Sequence, residues 1–157
     1  MNVELEAKLQ RLVDRQEIID CMLRYTRGID RLDRELLMSA YHPDAIDDHG
    51  VVVMSEDWCD WVFDFHAKHH NSHTHFISNQ TLDIDGDVAH GETYFMFCCT
   101  EKGKNINMMN TGRYIDRFER RCGRWAIARA YVSPRAPLSS RIPSGPASSG
   151  RCCAALA

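Results

Sequence analysis

The sequence lacks any apolar run long enough to cross a membrane, and it has no strong excess of charge of either sign. Its formal net charge is -3, whereas nucleic-acid binding needs a clustered excess of Lys and Arg. The first ten residues alternate charged side chains with Leu, without the continuous apolar stretch of a signal peptide. We therefore expect a cytoplasmic protein that binds neither nucleic acid nor membranes.

The seven cysteines lack the C-x-x-C spacing of zinc and redox sites, since Cys98-Cys99 and Cys152-Cys153 are adjacent pairs. We expect free thiols, mostly buried, and no nucleophile among them. A G-x-S-x-G elbow and a glycine-rich phosphate loop are missing as well. These absences argue against a serine hydrolase and a nucleotide-binding enzyme.

Proline is scarce until the end of the chain, where four of the five prolines follow residue 133 in a segment rich in Ser, Gly and Arg. The whole sequence has 157 residues, of which 44% are hydrophobic and 26% charged, as is usual for a globular protein. We predict one domain at residues 1–133 and a tail at 134–157 that is mobile or wraps around a partner subunit.

Helical periodicity fills the first half of the domain. A long amphipathic helix is predicted from Glu4 to about Ile29, a short one capped by Asp33, and a third starting at Ser55. The apolar stripe of the first helix consists of Leu5, Leu9, Leu12, Ile19 and Leu23.

The second half alternates apolar and polar residues between turn signals, which predicts strands. The strands are expected at residues 73–84, 88–100, 107–119 and 124–133, after a short extended segment at 45–49. Helices followed by an antiparallel sheet of hairpins indicate an α+β fold.

Asp30 follows Ile19, Leu23 and Thr26 at helical spacing, so a carboxylate lies at the end of the face predicted to pack inward. Such a residue either caps a helix or takes part in catalysis, and its position alone does not separate the two roles. Tyr25 lies near the inner edge of the same face.

His73 and His75 are two residues apart on a predicted strand, which places them on one face. That face continues through Ile77, Asn79 and Thr81. Across a curled sheet, His75 could reach the carboxylate at the end of the first helix.

Arg129 falls in the last predicted strand, on the face shared by Trp125, Ile127 and Tyr131. A cation among large side chains suggests the wall of a pocket, although an ion pair with a structural carboxylate is the alternative.

A metal site is the less favoured interpretation of the remaining histidines. His66 and His70 are one helical turn apart, but no compact triad with an acidic or thiolate ligand follows at metal-site spacing.

Five segments together resemble the SnoaL-like proteins of the nuclear transport factor 2 superfamily. They are YTRGID at 25–30, YHPDAIDDHG at 41–50, THFISN at 74–79, GRYIDRFE at 112–119 and GRWAIAR at 123–129. The resemblance covers about residues 4–133. It implies a cone in which three helices pack against a strongly curved antiparallel sheet around a cavity.

The resemblance also implies a lyase that needs no cofactor or metal. Asp30 and His75 match an Asp–His pair of the family, in which the histidine removes a proton from carbon and the aspartate fixes its tautomer. Arg129 matches an arginine and Tyr25 a tyrosine that would meet the charge on the leaving group. A further strand carboxylate of the family has no counterpart between Tyr94 and Cys99.

The remaining expectations concern the pocket and its occupant. Its lining is predicted to include Asp47, His49, Trp61, Phe65, Phe95 and Phe97. This lining suggests a flat, partly hydrophobic substrate such as a steroid, a polyketide or an aromatic catabolite. An isomerase or polyketide cyclase with the same Asp–His pair, and a non-catalytic binding or assembly module, are the alternatives. The resemblance further implies a homo-oligomer, with a trimer favoured and a dimer possible.

Overall fold

The computed structural model describes residues 2–104, 106–134 and 138–143, which form three helices and seven strands. The helices are α1 (Val3–Arg31), α2 (Arg34–Met38) and α3 (Ser55–His69). The strands are β1 (Tyr41–Asp48), β2 (Val52–Met54), β3 (His70–Asp85), β4 (Val88–Glu101), β5 (Ile106–Arg121), β6 (Arg124–Pro134) and β7 (Leu138–Pro143).

The strands form one curved sheet in the order β2-β1-β6-β5-β4-β3, and β7 pairs with β5 off this path. All neighbouring strands are antiparallel except β1 and β6, which run parallel. Helix α3 and the β3–β5 meander supply the long connection that a parallel pair needs. The predicted α+β class is confirmed. We call the face of the sheet that carries its buried side chains the inner face, and the opposite face the outer face.

The predicted apolar stripe of α1 is wrong, because Leu5, Leu9, Leu12 and Leu23 are exposed in the chain. The buried stripe is rotated around the helix and lies mainly in its second half. It consists of Asp14, Ile18, Cys21, Met22, Tyr25, Thr26, Gly28 and Ile29. The burial of polar Asp14 and Thr26 could not be expected from hydrophobic periodicity.

Two local features fix α1 against the rest of the fold. Gly28 lets α2 approach closely, since a Cβ at this position would lie 2.6 Å from the backbone nitrogen of Leu37. At the other end, the buried Asp14 carboxylate accepts hydrogen bonds from Arg120 Nη1 at 2.6 Å and from Trp125 Nε1 at 3.0 Å. These contacts hold α1 on β5 and β6, with its last turns over the inner face.

The predicted helix starts are confirmed at α2 and α3. Asp33 caps α2 by accepting a hydrogen bond from the Leu36 backbone N–H at 3.0 Å. Helix α3 begins at Ser55, but its cap residue is Met54, and the Ser55 side chain makes no capping hydrogen bond.

Because β3 contains a bulge, the predicted inner face of this strand is wrong beyond Ser78. The register with β4 shifts between Ser78 and Thr81, and Asn79 has a positive φ of 44°. One extra residue reverses the alternation. Asn79 and Thr81 are therefore exposed, whereas His73, His75 and Ile77 keep the inner face.

Part of the predicted tail belongs to the sheet, since β7 pairs with β5 in an antiparallel arrangement. Residues 135–137 and 144–157 lie outside the described residues. No described helix combines the length and the hydropathy that crossing a membrane requires.

Candidate functional site

Asp30 and His75 are in direct contact where the end of α1 meets β3. The His75 ring Nδ1 lies 2.7 Å from Asp30 Oδ1, and the His75 backbone N–H donates to the same carboxylate at 2.9 and 3.1 Å. Both side chains are mostly buried, with 19% of Asp30 and 10% of His75 exposed. Because a carboxylate only accepts hydrogen bonds, Nδ1 carries a proton and Nε2 of the neutral ring keeps its lone pair.

A second Asp–His pair lies on the inner face of β1. Asp47 is fully buried and accepts hydrogen bonds from His49 Nδ1 and, at 2.5 Å, from the Tyr41 hydroxyl. His49 Nε2 lies 3.4 Å from the Tyr25 hydroxyl, and the His49 ring stacks on Trp58 with centroids 3.6 Å apart. Asp47, near the end of β1, and His49, just after the strand, thus point to the same interior.

Tyr114, on the inner face of β5, lies close enough to both Asp–His pairs for the charges of Asp30 and Asp47 to act on it. Burial raises the pKa of its phenol well above 10, and the charges of Asp116, Asp30 and Asp47 raise it further. Its ring contacts Tyr25 edge-on at 5.4 Å between centroids. Both Asp–His pairs therefore face one interior.

Asp116 is a buried carboxyl that the sequence did not single out. Its Oδ2 has no hydrogen-bond partner among the described residues, and the carboxyl accepts a hydrogen bond from the Tyr131 backbone N–H. Burial raises the pKa of this carboxyl well above its usual value, and the nearby charge of Asp47 adds to the shift. It is the inward neighbour of Tyr114 and Phe118 in the alternation of β5.

The apolar part of the interior is formed by aromatic side chains on β4. Phe95 stacks on Tyr114 at 4.5 Å, and Phe97 lies 4.7 Å from the His75 ring. Trp61 and Phe65 are more exposed than a lining role requires, with 55% and 36% of their surface accessible. Along α3, Trp61 stacks on Trp58 and Phe65 stacks on Trp61. The structure therefore does not bring Trp61 into the interior.

The predicted position of Arg129 is wrong. In the β5–β6 ladder Phe118 pairs with Ile127 but Arg117 pairs with Arg129, so Ala128 is an extra residue on β6. Such a bulge reverses the alternation of the strand. Arg129 lies on the outer face and is exposed, while Ile127 is buried.

Three histidines meet at the junction of α3 and β3. One ring nitrogen each of His66, His70 and His73 lies within 4.8 Å of the other two. Burial lowers the pKa of His66 to about 3 and also lowers that of His70, and the neighbouring imidazoles add to both shifts. The helical spacing of His66 and His70 was a partial signal in the sequence, but the contribution of His73 depends on how the strand follows the helix.

The five cysteines within the described residues are free thiols, as predicted. Burial raises the pKa of both Cys21 and Cys59 to about 12, so these thiols stay protonated at neutral pH. Cys152 and Cys153 lie outside the described residues.

Comparison with known proteins agrees with the resemblance seen in the sequence. Residues 10–131 match the model of the SnoaL-like domain family. No curated protein matches the chain by sequence.

Solved structures show the same fold at low identity. A hexachlorocyclohexane dehydrochlorinase, LinA-type3 from Novosphingobium barchaimii, superposes with a TM-score of 0.77 at 21% identity, over 88% of this chain and 99% of that one. A scytalone dehydratase-like protein from Novosphingobium aromaticivorans gives 0.74 at 15% identity, over 90% and 97%. A cystatin-like protein of unknown function from Nostoc punctiforme gives 0.67 at 15% identity, over 78% and 92%.

Proposed function

We propose that this chain, which belongs to the SnoaL-like domain family, is a lyase. The proposed reaction eliminates water from an apolar small molecule. His75 is the general base and Asp30 the residue that orients it. The neighbours named as a dehydrochlorinase and as scytalone dehydratase-like support an elimination over other chemistry on this fold.

The observation that carries this proposal is the double attachment of Asp30 to His75. The carboxylate binds both the backbone N–H and the ring Nδ1 of the same residue. This arrangement fixes the ring orientation and the tautomer before substrate binds, and it stabilises the imidazolium that forms when Nε2 takes a proton. General base catalysis of this type contributes about a hundredfold to ten-thousandfold in rate.

The second Asp–His pair supports a role for Tyr25 as the hydrogen-bond donor to the leaving oxygen. Burial raises the pKa of the Tyr25 phenol well above 10, so it keeps its proton at neutral pH. Asp47 holds Nδ1 of His49, whose Nε2 faces the Tyr25 hydroxyl. In the elimination, the proton from carbon goes to His75 Nε2, the C–O bond breaks, and the departing oxygen takes the Tyr25 hydroxyl proton and leaves as water. His49, protonated on both ring nitrogens in this step, replaces that proton by donating from Nε2 to the Tyr25 oxygen.

The interior favours a substrate with a flat apolar body. Phe95, Phe97 and Tyr114 offer aromatic faces, whereas the polar groups are concentrated in the two Asp–His pairs. A hydroxylated steroid, polyketide or aromatic alcohol fits this division, with its hydroxyl toward Tyr25 and an activated C–H toward His75. We further propose that no cofactor takes part, because the substrate's own unsaturation acidifies the proton.

The test is a product analysis with purified protein and a panel of hydroxysteroids and aromatic alcohols. We expect one compound class to lose water and gain a double bond, detected by mass spectrometry and NMR. A product of unchanged mass with a shifted double bond or a new ring would replace the lyase by an isomerase or cyclase. Binding of panel compounds without any turnover would overturn the enzyme proposal in favour of a binding module.

A further inference from the structure

We propose that His66, His70 and His73 form a binding site for a divalent transition-metal ion, for which Zn²⁺ is the simplest probe. His66 lies in the last turn of α3, and His70 is the first residue of β3. The change from helix to strand turns His73 back toward the helix, where its ring stacks on His66 at 4.0 Å between centroids. This juxtaposition places one nitrogen of each ring within 4.8 Å of the others.

The separations suit a tetrahedral site. Zinc binds histidine nitrogens at about 2.0–2.1 Å, so two ligands of a tetrahedral ion lie about 3.4 Å apart. His66 Nδ1 and His70 Nδ1 are 2.8 Å apart, and the widest separation in the triad stays within 4.8 Å. Small rotations of the rings bring all three nitrogens to bonding distance.

Each of the three rings can present a nitrogen lone pair to a metal ion. His73 Nε2 lies 3.0 Å from the Ile29 carbonyl and must donate to it, which leaves Nδ1 with its lone pair. A backbone carbonyl in this role is the usual outer partner of a metal-binding histidine. One of the two facing Nδ1 atoms of His66 and His70 donates to the other. When an ion binds, that proton moves to Nε2 of the same ring, and both Nδ1 atoms become ligands.

Three histidines leave one position of a tetrahedral ion without a protein ligand, since no Cys, Asp or Glu of the described residues joins the cluster. Three histidines with an open fourth position are typical of zinc sites that hold water or substrate.

The site is separate from the proposed base but shares its interior. The His66 ring lies 6.3 Å from the His75 ring, and Phe97 contacts both. The metal-binding inference does not depend on the lyase proposal, because it is tested by binding alone.

The experiment titrates chelator-treated full-length protein with Zn²⁺ by calorimetry and follows thermal unfolding with and without the ion. We expect one equivalent to bind wild type and to raise Tm, since a ligand of the native state stabilises it. His70→Gln and His73→Gln should bind at least tenfold more weakly and lose most of the zinc-dependent Tm shift. His69→Ala removes an exposed histidine next to the triad and should behave as wild type.

Comparing the Tm of each variant with and without Zn²⁺ keeps the test valid if a substitution lowers the intrinsic stability. Co²⁺ provides a second readout, because a tetrahedral nitrogen site gives strong visible d–d bands without the near-ultraviolet charge transfer of a thiolate. Unchanged zinc affinity in both triad variants, or a Co²⁺ spectrum dominated by thiolate ligands in wild type and His70→Gln alike, would overturn the proposal.

Discussion

Asp30 binds the backbone N–H and the ring of His75 with one carboxylate, across 45 residues of sequence. A cap at the end of α1 would have satisfied the first turn of α2 instead, and Asp33 does that. Asp30 therefore holds the imidazole instead of capping a helix, and its part in catalysis stays a prediction.

Replacing Asp30 by Asn should reduce kcat by about a hundredfold to ten-thousandfold on the substrate found in the panel, with little change in KM. The amide stabilises an imidazolium less than a carboxylate does and can select the other ring tautomer. Nitrogen NMR of the imidazole should show Nδ1–H in wild type and a mixture of tautomers in the variant. Asp20→Asn, on the exposed side of α1, is the control and should leave both readouts unchanged.

Arg129→Ala should retain turnover within about twofold, because the side chain lies on the outer face. Tyr25→Phe should lower kcat by about tenfold or more, since it removes the hydroxyl proposed to face the leaving oxygen. Steady-state kinetics of the two variants side by side checks this assignment. A strong loss in Arg129→Ala would restore the arginine to the site and contradict the observed face of β6.

The face on which Arg129 lies could not be predicted from the sequence, because it depends on a bulge in β6. Helix and strand positions follow from periodicity and turn residues, and the Asp30–His75 pair followed from a family pattern. A bulge is one inserted residue without a reliable sequence signal, yet it reverses every side chain beyond it, as after Ile127 and after Ser78. The predicted buried stripe of α1 was wrong for a different reason. The helix buries Asp14, whose partners on β5 and β6 are supplied only by the tertiary structure.

The pH dependence of stability should reveal Asp116. Its folded-state pKa is raised, so the native carboxyl holds a proton that the unfolded chain releases near pH 4. Its contribution to stability is therefore complete below about pH 4 and declines as the pH rises toward the folded pKa.

Asp116→Asn removes this ionisation. The free energy of unfolding of the variant relative to wild type should rise with pH above about 4, by at most about 1.4 kcal/mol per pH unit. Urea denaturation at several pH values measures this difference. Asp83→Asn, on the exposed face of β3, is the control. A difference that is flat or falls with pH contradicts the buried, protonated carboxyl.

The outer face of the sheet should mediate a homo-oligomer. Phe76, Tyr94 and Ile115 are exposed together on neighbouring strands of this face, and 54% of Phe76 is accessible. We expect light scattering to show an oligomer for wild type and for Val51→Lys, which alters an exposed residue outside the sheet. The double variant Phe76→Lys/Tyr94→Lys should dissociate. A wild-type chain that is monomeric at all concentrations, or a double variant that stays assembled, would contradict this expectation.

The most direct test of the account is the turnover of His75→Ala against wild type on the substrate found in the panel, followed as formation of the dehydrated product. If His75 Nε2 removes the proton, kcat should fall by about a hundredfold or more while the variant still binds the substrate. The matched substitution His90→Ala, at an exposed position on β4, should keep wild-type turnover. Undiminished elimination by a folded His75→Ala protein would contradict the central claim.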